Sequence, residues 1–148
     1  MLWKWFDVAL WKRSLFKRLA VVDLPDLSGA WNARAASVLD GVQQLTLGRA
    51  HIHQTWSRLS LSILWEHSRS QSVSGLLQRA ASGRFELVYQ YLNEPDVLAV
   101  ATMHIHRGTA WLELDASHRE LSGEYFSGRG RQQIGKLVLS REARISFD

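Results

Sequence analysis

An all-β domain is the fold this sequence predicts: a small eight-stranded up-and-down barrel, lipocalin-like and minimal, preceded by a short N-terminal amphipathic helix. Three observations carry that expectation. After Pro25 the apolar residues recur with a period of two rather than 3.6. The alternating runs are short, return about every 10–14 residues, and are separated by Gly, Asp and Asn signals of the kind that close hairpins. About eight such runs follow one another with hairpin spacing, and closing them into a barrel removes the exposed sheet edges.

The elements follow in order. Residues 1–23 form a basic, aromatic amphipathic segment, and residues 24–148 form the barrel. Leu27, Gly29, Trp31, Ala33 and Ala35 share one face of a first strand, and a helical turn is expected near Val38–Leu45. Ala50, Ile52, Gln54 and Trp56 alternate with His51, His53 and Thr55. Leu59, Leu61, Ile63 and Trp65 alternate with Ser60, Ser62 and Leu64. Phe85, Leu87, Tyr89 and Tyr91 form another inner face, as do Ala110, Leu112 and Leu114. Leu121, Gly123 and Tyr125 precede a Gly128-Arg129-Gly130 turn, and residues 133–140 return as the last strand. A two-sheet sandwich is the competing architecture.

Composition limits the function classes. The chain has 148 residues, 46% hydrophobic and 22% charged, with no cysteine. This is enough for one core without staples. It excludes a disulfide scaffold, a thiolate metal site and a cysteine nucleophile. Lys4, Lys12, Arg13, Lys17 and Arg18 stand against Asp7 in residues 1–22, which accounts for the whole formal charge of +4 and leaves the body neutral.

That N-terminal segment interleaves Trp3, Trp5 and Trp11 with the basic residues. No apolar run approaches the ~20 residues that span a bilayer, and Asp7 and Lys12-Arg13 interrupt any signal-peptide core. Indole rings favour the headgroup level, and basic groups favour an anionic cytoplasmic leaflet. Trp3, Lys4, Trp5, Trp11, Lys12, Arg13, Lys17 and Arg18 are therefore the expected membrane-proximal set. The plainer alternative packs the same Trp and Leu side chains against the barrel.

Candidate site residues come from the inner faces. Ser68, Ser70, Ser72 and Ser74 fall on one side of a strand; facing inward, they leave space and hydroxyl donors for a polar ligand, and facing outward they are a solvated face. Tyr89, Tyr91 and Tyr125 are all the tyrosines of the chain. They suit either core packing or stacking on a nucleobase. Arg129 and Arg131 flank Gly130, and guanidinium forks match phosphate oxygens. His51-x-His53 and His104-x-His106 each share a strand face, but Ile52 and Ile105 between them are expected in the core. No carboxylate follows at ligand spacing, so no metal is expected. With no nucleophile elbow, P-loop or dinucleotide fingerprint, catalysis has no support. A carrier of apolar ligands or a filled interaction module remains open.

In order along the chain stand Leu24-Pro25-Asp26-Leu27-Ser28-Gly29-Ala30-Trp31, Ile52-His53-Gln54-Thr55-Trp56 and the Ser70-x-Ser72-x-Ser74 ladder. Leu87-Val88-Tyr89-Gln90-Tyr91-Leu92-Asn93-Glu94-Pro95, Gly108-Thr109-Ala110 and Leu121-Ser122-Gly123-Glu124-Tyr125-Phe126 follow, with Arg129 after them. The Gly-x-Trp resembles the opening of lipocalin-like barrels, in which the Trp plugs the closed end. The whole succession, over about residues 24–141, resembles the bacterial CBASS effectors that join two transmembrane helices to a β-strand-rich domain, the CD-NTase-associated cyclic-dinucleotide receptors.

The resemblance implies an antiphage receptor that binds a cyclic dinucleotide made by a CD-NTase, needs no cofactor and engages no nucleic-acid polymer. Binding would lead to self-association and disruption of the bacterial inner membrane, with the barrel on the cytoplasmic side. The family's two transmembrane helices have no counterpart in this sequence. That leaves either a piece of a longer effector or a variant resting on the membrane or another protein. For such a ligand, Arg129 and Arg131 would hold phosphate, Tyr89, Tyr91 and Tyr125 would bracket bases, and Gln54, Ser70, Ser72 and Ser74 would supply space and hydrogen bonds.

Overall fold

Eight antiparallel strands pair in chain order, and the last closes on the first. A computed structural model describes residues 2–13, 23–39, 42–100, 103–128 and 133–141. The strands are β1 (Gly29–Leu39), β2 (Val42–Gln54), β3 (Leu59–Trp65), β4 (Ser68–Arg79), β5 (Phe85–Pro95), β6 (His106–Leu114), β7 (Glu120–Ser127) and β8 (Gln133–Arg141). Ahead of them lie α1 (Leu2–Val8) and a 3-10 turn (Leu10–Lys12). The period-two alternation becomes the inside and outside of the wall: β3 buries Leu61 and Ile63 between the exposed Ser60, Ser62 and Leu64, and β6 buries Ala110, Leu112 and Leu114. Where a helical turn was expected near Val38–Leu45, β1 and β2 instead pair continuously up to Leu39 opposite Val42. Strand pairing satisfies the backbone there, so local helix preference loses.

The two ends of the barrel are built differently. At one end the lumen is filled by Leu27, Trp31, Ile52, Leu87, Leu112, Leu121 and Leu139, all essentially inaccessible. Trp31 donates its indole N–H to Leu27 O at 2.9 Å. The Arg141 guanidinium lies over its ring at 4.5 Å and donates to the backbone oxygens of Asp26 and Ser28. Gly29, two residues before Trp31, has φ +118°, a conformation that a side chain would strain. Trp31 is thus the plug of the closed end. The turns after β1, β3, β5 and β7 belong to the other end, where the filling stops.

The N-terminal segment docks on the closed end. The Asp7 backbone oxygen accepts from Trp56 N at 2.8 Å, and its carboxylate accepts from Ser57 N at 2.7 Å. Phe6 and Trp11 pack around the Trp56 ring, with centroids 5.8 and 6.3 Å away. Lys12 donates to Ser28 Oγ at 2.7 Å and pairs with Asp26 at 3.1 Å. Trp11 and Lys12 are therefore barrel contacts rather than part of a free membrane-facing set: the indole gains more by complete burial than by lying at an interface. Trp3 and Trp5 stay 67% and 66% exposed, and Lys4 and Arg13 are exposed as well. Lys17 and Arg18 lie outside the described residues. The joint has one weak point, because the buried Trp11 Nε1 has no acceptor among the described residues.

Trp31→Ala should cost about 3–5 kcal/mol of stability, measured by chemical denaturation. The joint should be acid-labile. Desolvation raises the Asp26 and Asp7 carboxyls, but the opposing contacts prevail and both end below their ordinary 3.8. For Asp26 these are hydrogen bonds from Ser28 and the Lys12 ammonium; for Asp7 they are hydrogen bonds from Ser57 and Thr55 and the Arg58 charge. A lowered carboxyl stabilises the folded form above its unfolded pKa and loses that contribution as pH falls through its folded value. Tryptophan emission should therefore hold at pH 5 and shift red below about pH 3.8 as Trp11 and Trp56 become exposed.

Candidate ligand-binding site

At the open end the lumen holds a cavity of 120 Å³. Every strand contributes to its wall: Ala35 and Ser37 from β1, Gln44 and Thr46 from β2, Ile63 and Trp65 from β3, Ser68 and Ser70 from β4, and Tyr89, Tyr91 and Asn93 from β5. His106 from β6, Tyr125 from β7, Gln133 and Leu137 from β8, and Met103 before β6 complete it. Among the described lining residues there is no Lys, Arg, Asp or Glu. Hydroxyl, carboxamide and aromatic groups make the wall, which suits a flat ligand with a hydrogen-bonding edge.

The rings have a specific support. Trp65 lies opposite Gly48, Tyr89 opposite Gly75, Tyr91 opposite Gly108 and Tyr125 opposite Gly135, each as a direct cross-strand pair. A β-carbon at Gly48 would sit 2.7 Å from the Trp65 ring, and one at Gly135 would sit 2.6 Å from the Tyr125 ring. At Gly108 it would overlap the Tyr91 hydroxyl. Glycine opposite Trp65, Tyr91 and Tyr125 gives each ring room to lie against the wall, so the cavity stays open. Tyr89 and Tyr91 have centroids 6.0 Å apart, tilted by 50°. Burial, and then the neighbouring Tyr91, push the Tyr89 phenol far up, so it stays protonated and adds no charge.

Polar groups of the wall beside the turns after β3 and β5 are ordered by one another. Trp65 Nε1 donates to Ser70 Oγ at 2.9 Å, and Ser70 Oγ donates to Asn93 Oδ1 at 2.7 Å. Asn93 Nδ2 points to the Met103 sulfur at 3.8 Å. On the β8–β1 side of the wall, Gln133 Nε2 donates to Ser37 Oγ. Exposed aliphatics surround the mouth: Val38, Val97, Leu98, Ile105 and Ile134, with Leu98 at 98%.

Of the residues singled out from the sequence, the structure brings Ser70, Tyr89, Tyr91 and Tyr125 together on this cavity, with Ser68 beside them. It separates three others. A register shift in β4 between Ser72 and Ser74 breaks the serine ladder. Ser72, half-buried, accepts from Leu61 N at 2.8 Å in place of a strand partner, and Ser74 turns outward to solvent. Gln54 is buried at the closed end, where it accepts from Leu27 N at 2.7 Å and donates to Pro25 O at 3.1 Å. Its amide is thus spent on the backbone of the segment before β1. Arg129 and Arg131 lie outside the described residues, between Ser127 and Gln133.

The histidine pairs also divide. Ile52 is in the core as expected, but Ile105 is 63% exposed, and His106 turns to line the cavity. The reason is that β6 begins only at His106, so no alternation is imposed on residue 105. Among the described residues no three His, Cys, Asp or Glu side chains stand close enough to hold a metal ion. Asn93, Gln133, Trp65 and Thr46 are wall residues that the sequence did not single out. The glycines opposite the rings were the available signal, readable only once strand register is known.

No helix among the described residues is long and apolar enough to cross a membrane. A relative, "CD-NTase-associated protein 15" from Yersinia aleksiciae, is 29% identical over 140 residues; the match takes in 95% of this chain and 65% of the relative's length. The family description "Cap15, cyclic dinucleotide receptor domain" matches residues 22–141, the barrel and the short segment leading into it. This chain belongs to the Cap15 cyclic dinucleotide receptor domain family.

Proposed function

We propose that the barrel binds a cyclic dinucleotide supplied by a CD-NTase, as the sensing part of an antiphage CBASS effector. The observation that carries this reading is the open-ended cavity walled by Tyr89, Tyr91, Tyr125 and Trp65, with no Lys, Arg, Asp or Glu among its described lining residues, in a chain of this receptor family. Aromatic faces and amide or hydroxyl edges are what a nucleobase needs. In this reading the site binds without catalysing; the Ser70 hydroxyl is engaged by Trp65 and Asn93 rather than by a general base. A carrier of apolar ligands is disfavoured by the same wall, on which serine, asparagine and glutamine stand where such a carrier needs aliphatics.

In this reading Arg129 and Arg131, next in sequence to the wall strand β8, meet the phosphates at the mouth. Exposed Trp3, Lys4, Trp5 and Arg13 at the closed end face the inner leaflet of the bacterial inner membrane, with the cavity opening away from it on the cytoplasmic side. Ligand binding drives self-association, for which the apolar rim is a suitable surface, and membrane disruption follows in the full-length effector. Isothermal titration with a panel of cyclic dinucleotides tests the core of this reading: saturable heat is expected from at least one. No heat from any, with protein well above micromolar, would overturn it. Arg129→Ala should weaken binding about tenfold with an unchanged unfolding midpoint, and an unaltered affinity would remove that residue from the site.

A further inference from the structure

Barrel closure leaves half of one strand without a neighbour on one side. β1 and β2 pair without interruption from Gly29 opposite Ile52 to Leu39 opposite Val42. β3 meets β2 only from Gly48 to Gln54. Val42–Leu47 therefore runs on past the end of β3, and all of these residues are exposed. Among the described residues nothing pairs with their far side.

The ladder fixes which backbone groups face that empty side. Leu61 stands opposite Ile52 and gives its N–H to Ser72 on β4, so Ile52 turns its own backbone groups to β1. Gln54 does the same, its carbonyl oxygen accepting from Ser28 at 3.4 Å. Alternation along β2 then turns the N–H and C=O of Gln43, Leu45 and Leu47 to the open edge.

Proteins usually blunt such an edge with charge, proline or a bulge. Val42-Gln43-Gln44-Leu45-Thr46-Leu47 has no charged residue, no proline and no glycine, and its register with β1 is unbroken. Gln44 and Thr46 take the lumen side, which leaves Leu45 and Leu47 on the outer face, 61% and 65% exposed. An edge of this kind asks for another strand.

The same edge is complementary to itself. Cross-strand neighbours in an antiparallel pair share a face, so a two-fold axis between two copies has to pass through a residue. Centred on Leu45, it sets Leu45 against its own copy and Gln43 against Leu47, which pairs every free N–H and C=O of both copies. Centred on Gln44 or on Thr46, it leaves Leu47 or Gln43 without a partner. In the Leu45 register the two leucines lie between two Ala36 side chains on the outer face, because Ala36 is the β1 neighbour of Leu45. On the lumen side Gln44 meets Thr46, and no like charges are brought together.

We propose that this edge joins two copies of the chain, β2 to β2, in an antiparallel pair centred on Leu45. The contact forms without ligand and does not rest on the cyclic-dinucleotide reading. One strand pair is a small interface, below ~1,200 Å², so the association is weak.

Sedimentation velocity of the full chain without ligand, from about 1 µM to about 500 µM, should show monomer passing to dimer. Leu45→Lys sets like charges directly opposite each other and should weaken dimerisation at least about tenfold. Its unfolding midpoint should stay, because the side chain is exposed. Leu45→Pro removes the central donor at a position where an edge strand tolerates proline, and it should have the same effect. The chain has no cysteine, so Leu45→Cys gives a direct reading of register. Opposite α-carbons in such a pair lie about 5.5 Å apart, within disulfide reach, and oxidation should link the dimer covalently. Val73→Cys, on β4 and 69% exposed, should give no such link. A chain that stays monomeric at about 500 µM, a dimer that Leu45→Lys leaves intact, or equal linking at both cysteines would overturn the proposal.

Discussion

Barrel closure with filling from one end only is the constraint on which the rest of the molecule depends. Eight strands leave a lumen just wide enough for side chains or one small ligand. Here the Trp31 ring, capped by Arg141 and bonded to Leu27 O, blocks one end, and it belongs to a core to which every strand contributes apolar side chains. Were large aliphatics to continue to the other rim, no cavity would remain. Instead the wall changes to small, polar and aromatic residues, and glycine stands opposite each ring. The cavity is an absence maintained by that change, and its depth is set by where the aliphatics stop, at Ile63 and Leu137.

Much of this was legible in the sequence because a closed barrel writes its inside and outside as a period of two. Eight strands and the inward tyrosines follow from alternation, whereas Trp31 as a plug is what the Gly-x-Trp resemblance to lipocalin-like barrels implies. Alternation fails where it is interrupted. The β4 bulge inserts one residue, so Ser70 and Ser74, four apart and of one type, end on opposite sides of the wall. Nothing in the local string Ser-Gln-Ser-Val-Ser announces it. Ile105 was misplaced for a related reason, since β6 begins one residue later.

Residue type misled in a different way. Gln54 is polar, inward-facing and on a wall strand, all of which fit a ligand contact; only its position along the axis, beside the closed end, gives it to the backbone of residues 25 and 27. Position along the axis depends on strand stagger, which a single sequence does not display. Trp11 was ambiguous between lipid and protein because both reward indole burial. Trp56, four residues before Ser60 and far from Trp11 in sequence, supplied the surface that decided it. Asn93 escaped notice because its significance comes from Ser70, its partner across the β4–β5 ladder, and from Trp65 on β3, a juxtaposition that depends on strand register.

Cavity and N-terminal joint sit at opposite ends, yet one strand serves both. β2 lends Gln44 and Thr46 to the wall and ends in Gln54, which grips Pro25 and Leu27. Beside that end, Ser28 links Lys12 to the backbone oxygen of Gln54. A ligand can shift the joint only if it binds the two arrangements of the barrel unequally. Moving a 1:99 equilibrium to 99:1 takes a differential affinity of about 10⁴-fold, which a single hydrogen bond does not supply. In the proposed receptor, the energy for any assembly would therefore have to come from many contacts at once, those of the cavity wall together with the exposed Val97, Leu98 and Ile134 around the mouth.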